Sequence, residues 1–100
     1  MNKIKSILAM LVLAGSLSAN AQKIVCNDLQ ELSYKIMDLR QAGIPASQVI
    51  AIADGNRVVL SIIISAYEEP QYRTIEYQIR ASKEFANKVY IECYKAISLK

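Results

Sequence analysis

Residues 57–67 read Arg57-Val58-Val59-Leu60-Ser61-Ile62-Ile63-Ile64-Ser65-Ala66-Tyr67, and the class of the whole fold turns on whether they form a strand or a helix. Their β-branched density favours a strand by propensity, because stiff side chains fit a pleated surface. Length argues the other way. The segment is long for a strand, and one strand with no partner elsewhere in the chain cannot stand alone. We read it as a buried helix, apolar nearly all round, and expect it to be the central element of its domain.

The flanking sequence is helical by its periodicity. Between Asn27 and Gln41 the residues Leu29, Leu32, Ile36 and Leu39 recur at steps of three and four, with Glu31, Lys35 and Asp38 on the wet side. Asn27 or Asp28 is the expected cap at its start, and Gly43 with Pro45 ends it. A short second helix is expected behind Ser47 as N-cap, with Val49, Ile50 and Ile52 inward, closed by the turn Asp54-Gly55-Asn56. Pro70 ends the apolar segment. Thr74 then caps a last helix reaching about Ser98, on which Ile75, Ile79, Ser82, Ala86, Val89, Cys93 and Ala96 or Ile97 trace one face, with Phe85 beside it. Lys83, Glu84, Lys88, Glu92 and Lys95 cover the other, where Glu84 and Glu92 each stand four residues from Lys88. The sum is an all-α bundle of three to four helices.

The chain opens as an exported protein does. Lys3 and Lys5 precede an apolar run from Ser6 to Leu17, and Ser18-Ala19-Asn20-Ala21 offers the small-residue site of a signal peptidase. The run is well short of the ~20 residues that span a bilayer. We expect residues 1–21 to be a leader cut after Ala21, and 22–100 to form one helical domain in the periplasm or beyond; the other possibility is an uncleaved anchor. Lipidation would need a cysteine directly behind the apolar run, whereas Cys26 follows Lys23-Ile24-Val25. No stable membrane insertion is expected after cleavage.

Removing the leader takes two lysines and no acid, so the formal charge falls from +3 to +1. Signs are interspersed, so the clustered cations that bind nucleic acid or anionic lipid through counterion release are lacking.

A domain of ~80 residues has little core to spare. Cys26 and Cys93 lie near its two ends, and an even count in an exported chain favours a disulfide over free thiols or intermolecular pairing. Closing a loop of about 68 residues removes chain entropy worth roughly 4 kcal/mol. The bridge joins the first and last helices and sets them antiparallel. A redox role is disfavoured, because there is no Cys-x-x-Cys and no histidine to lower a thiol pKa.

The absence of histidine also removes the usual general base and the commonest transition-metal ligand. Glu68, Glu69 and Glu76 form the one acidic cluster, which reads more simply as a solvated turn than as paired catalytic carboxylates. Gly15, Gly43 and Gly55 are isolated, so no phosphate loop is built, and Arg57-Val58-Val59 behind Asp54-Gly55-Asn56 breaks any calcium loop. We assign no catalytic residue, metal or cofactor and read the protein as not an enzyme.

Tyr67, Tyr72, Tyr77, Tyr90 and Tyr94 concentrate in the last third. Tyrosine is favoured at contact surfaces for its rigid apolar ring and polar tip. Tyr67 and Tyr90 are expected to fill the core edge, whereas Tyr72, Arg73 and Tyr77 are the candidate partner contacts.

Arg40-Gln41-Ala42-Gly43-Ile44-Pro45, Ala66-Tyr67-Glu68-Glu69-Pro70, Tyr72, and Phe85 with Val89-Tyr90 and Cys93 together resemble a group of short exported proteins of unknown function from proteobacteria and their phages and prophages. The resemblance covers most of the chain after the leader and implies a bacterial periplasmic setting with a phage connection. It carries no active site and no ligand. The expected function is binding to another periplasmic or envelope protein, as an inhibitor or exclusion factor. An acid- or stress-responsive chaperone-like role is the alternative, with carboxylates in place of histidine as the trigger. The sequence does not set the oligomeric state.

Overall fold

The computed structural model describes the backbone of residues 19–98 and the side chains of 25–98. Four helices, α1 (Ala19–Gln41), α2 (Ala46–Ala53), α3 (Arg57–Tyr67) and α4 (Ile75–Ser98), account for the regular structure of these residues, with no strand among them. The disulfide is present: Cys26 and Cys93 are fully buried, with Cα atoms 5.6 Å apart, and they tie α1 antiparallel to α4. The expected leader lies outside the described residues except for 19–21, which open α1.

Several boundaries differ from the sequence reading. α1 starts at Ala19 rather than at Asn27 or Asp28, which sit exposed on a turn well inside it. Ala19-Asn20-Ala21-Gln22-Lys23 contains no helix breaker, so nothing stops the helix from extending upstream. Its other end closes as a Schellman motif: Gly43 takes φ +84°, the Ile44 N–H donates to Leu39 O (3.0 Å) and the Gly43 N–H to Arg40 O (3.1 Å). Pro45, extended at ψ 144°, takes the N-cap of α2, so Ser47 lies inside that helix. Only Val49 and Ala53 turn inward; Ile50 and Ile52 are exposed, because two turns of helix bury one stripe. Asp54 and Gly55 both take left-handed conformations, and Asn56 Oδ1 accepts from the Val59 N–H (3.1 Å), capping α3.

α3 is a helix across the whole segment 57–67, so burial overrides β-propensity there. It is not the central element. Ile62, Ile63, Ser65 and Ala66 are buried while Ile64 faces out. The hub is α1, which packs along α4 on one flank and against α3 on another, with α2 lodged on α3. Cys26, Ile36 and Met37 of α1 meet Ile62, Ile63, Val89 and Cys93 in the core. Ser65 Oγ is buried without a hydrogen-bond partner. Ser65→Ala removes that desolvated hydroxyl and improves helix propensity, so it is expected to raise stability by ~0.5–1 kcal/mol. A thermal midpoint unchanged or lowered in the variant would count against this reading of the site.

α4 begins as expected, with Thr74 Oγ1 accepting from the Tyr77 N–H (3.4 Å). Ser82, Phe85, Ala86, Val89, Cys93 and Ala96 are buried on its inner face, but Ile75 and Ile79 are 67% and 43% exposed. The register explains this. Cys26 pairs with Cys93, and Ser82 donates to Asp38 Oδ1 (2.5 Å), so α1 ends at Gln41 about level with Ile79. The first turn of α4 therefore overhangs its partner. The four-step pairs expected around Lys88 do not close; the one ion pair among the described residues joins Glu31 to Lys35 (3.3 Å) on α1. Exposed pairs of long side chains gain little against their own entropy.

Candidate interaction face

The end of α1 organises the loop that precedes α4. Arg40 Nε and one terminal guanidinium nitrogen donate to Glu69 O (3.1 and 3.0 Å), and the guanidinium lies over the Tyr67 ring, 5.4 Å from its centroid. Gln41 is 3% exposed, on the buried stripe four residues after Met37. Its Nε2 donates to Pro70 O (2.9 Å), its Oε1 accepts from the Tyr72 N–H (2.8 Å), and its carbonyl accepts from Gln71 Nε2 (3.2 Å). Gln78 Nε2 then donates to Tyr72 O (2.8 Å). The main chain of Tyr72 is thus held at both its polar groups, which leaves the ring as the free part of the residue.

Tyr72 is 40% exposed, and its ring lies 6.1 Å from the ring of Tyr77, a residue that is 52% exposed. Arg80 extends the group, its guanidinium 5.3 Å from the Tyr77 centroid. Arg73 follows Tyr72 in the chain and is exposed, as are Ile75 on the overhanging turn and Ile79 level with the end of α1. The structure brings Tyr72 and Tyr77 together, and Arg73 is carried on the same loop. Tyr90 is half-buried against the core, as expected; its ring lies 6.0 Å from that of Tyr94 toward the opposite end of α4, so four of the tyrosines form two pairs. Sequence reasoning missed Arg40, Gln41, Gln78 and Arg80. A glutamine on an otherwise apolar stripe was the available signal for Gln41, because a buried amide needs partners.

Tyr67 links the network to the next turn by donating its hydroxyl to Ile44 O (2.5 Å). Burial pushes its phenol above the ordinary tyrosine range, opposed in part by the Arg40 guanidinium. A raised native pKa favours the neutral phenol in the fold. Its contribution to stability is present below the unfolded value of about 10 and is lost as pH rises through the native one. Tyr67→Phe is expected to cost about 1 kcal/mol at neutral pH through the lost hydrogen bond, and less in strong alkali. Urea midpoints of both proteins from neutral to alkaline pH test this: a difference that stays constant or widens contradicts it.

Among the described residues no three acidic or cysteine side chains gather to hold a metal ion, and no helix is long and apolar enough to cross a membrane. The carboxylates of Glu68 and Glu76 are exposed. No protein-family model, curated protein or solved structure matches the chain.

Proposed function

We propose that the protein is a non-enzymatic periplasmic module that docks on another periplasmic or envelope protein through Tyr72, Arg73 and Tyr77. The observation that carries this reading is the pair of exposed tyrosine rings in contact on a loop tied down by Gln41 and Gln78. Large rings held in place before binding lose little entropy on contact, and Tyr and Arg are the side chains that dominate interface energies. Ile75 and Ile79 add apolar area on the adjoining turns. The resemblance to exported phage-associated proteins supports an inhibitor or exclusion factor made by a resident phage.

A photo-crosslinking side chain at position 72, in protein made with its own leader in a bacterial host, tests the docking. A discrete adduct that is lost with Tyr77→Ala and absent when the crosslinker sits at Ile52 is expected. With the partner in hand, replacing both tyrosines by Ala should weaken binding by ~2–4 kcal/mol. No adduct at position 72, or equal adducts from both positions, would remove the proposal.

The exposure of Ile50 and Ile52 on α2 favours a second reading, a chaperone-like protein that offers apolar surface under stress. Dye binding and helicity that stay level from neutral to acidic pH would eliminate it.

A further inference from the structure

The α1/α4 pair is covered by α3 along one side of α1, and on a side left open among the described residues it forms a groove of about 610 Å3 whose walls come from both helices. Asn27, Gln30, Glu31, Tyr34 and Lys35 of α1 form one wall; Lys83 and Asn87 of α4 form the other. Between them Ala86 is 3% exposed and forms the floor. In the register fixed by Cys26–Cys93 and Asp38–Ser82, Ala86 lies level with Tyr34, so a small side chain leaves room beside the ring. Tyr34 is half-buried and is not among the residues packed on the core.

The lining selects a ligand chemistry. Three carboxamides, each both donor and acceptor, match hydroxyl groups, which are likewise both. A tyrosine ring offers a flat apolar surface to the C–H face of a sugar ring. Glu31 and Lys35 of the lining pair with each other (3.3 Å), which leaves Lys83 as the cation for a carboxylate. The volume lies in the range of small-ligand sites, ~300–1,000 Å3. The lining is too polar for an acyl chain. An extended peptide would need apolar side-chain pockets, and Ala86 is the one aliphatic residue of the lining. We infer that the groove between α1 and α4 binds a short acidic saccharide, with Tyr34 stacking on a ring, the carboxamides of Asn27, Gln30 and Asn87 engaging hydroxyls, and Lys83 pairing with the carboxylate. This site is separate from the Tyr72–Tyr77 face and does not depend on the docking reading.

An isotope-edited NMR titration of the purified disulfide-bonded protein tests it, with digalacturonic acid as probe, maltose as the neutral disaccharide and acetylated tetra-alanine as the peptide. Saturable shifts confined to the amides around residues 27–35 and 83–87 are expected, with a Kd on the order of 1 mM for an open site and weaker binding of maltose. Tyr34→Ala and Asn87→Leu should each weaken binding about tenfold, and Lys83→Met should abolish the preference for the acid while maltose still binds. Absence of saturable shifts up to about 20 mM would overturn the assignment. So would binding unaffected by both Tyr34→Ala and Asn87→Leu, or equal shifts with the peptide.

Discussion

Replacing Cys26 and Cys93 together by alanine lowers the unfolding free energy by about 4 kcal/mol, the largest loss expected of any change considered for this chain. The two residues are 67 apart, so the bridge spans most of the described domain, and without it the unfolded chain regains the freedom of a long loop. Cavities left by two fully buried sulfurs add to the loss. Small domains have only ~5–15 kcal/mol in total, so the variant should sit near the edge of folding at physiological temperature. Urea unfolding of the oxidised protein against the double variant gives the number. A difference under about 1 kcal/mol would mean that the packing of α1 on α4 sets the stability without the bond.

The second large effect is expected at Gln41. Gln41→Leu keeps the volume and the apolar stripe but leaves Pro70 O and the Tyr72 N–H without their partner, two main-chain groups close to the bundle surface. Unpaired buried groups cost ~1–3 kcal/mol each, and water reaching the loop reduces the sum, so a loss of about 2–3 kcal/mol is expected. Hydrogen exchange at the Tyr72 amide should accelerate with it. Gln78→Ala, which removes an exposed bond to Tyr72 O, should cost under about 1 kcal/mol and serves as the comparison. Equal losses in the two variants would show that Gln41 does not anchor the loop. If the Tyr72–Tyr77 face docks a partner, Gln41→Leu should also weaken that binding without touching it, because the tyrosine must then be ordered at the moment of contact.

The parts of the fold that the sequence discloses are those written in neighbouring residues. Gly43, Pro45, Asp54-Gly55 and Thr74 each mark a helix end by local chemistry, and the structure puts ends there. The cysteine pair was legible because their number and places constrain one another. What stayed hidden depends on the register between helices. Ile75 and Ile79 lie on the same stripe as Val89, yet only the length of α1 decides that they stay uncovered. The start of α1 is hidden for a different reason: polar residues on a helix face look the same as a cap when the residues upstream also favour helix. Arg40 and Gln41 reach partners about thirty residues away, and no period or spacing announces such contacts. Ala86 matters in the groove only because it lies level with Tyr34, another relation across helices.

The covalent tie lies toward one end of the α1/α4 pair, while the other end is fastened by hydrogen bonds, from Ser82 to Asp38 between the helices and from Arg40 and Gln41 to the loop before α4. Thermal opening is therefore hinged: the pair splays from the Gln41 end like tongs pivoting on the sulfur bridge, and α4 unzips from Ile75 toward Cys93 rather than in reverse. The tyrosine loop rides on the jaw that moves first.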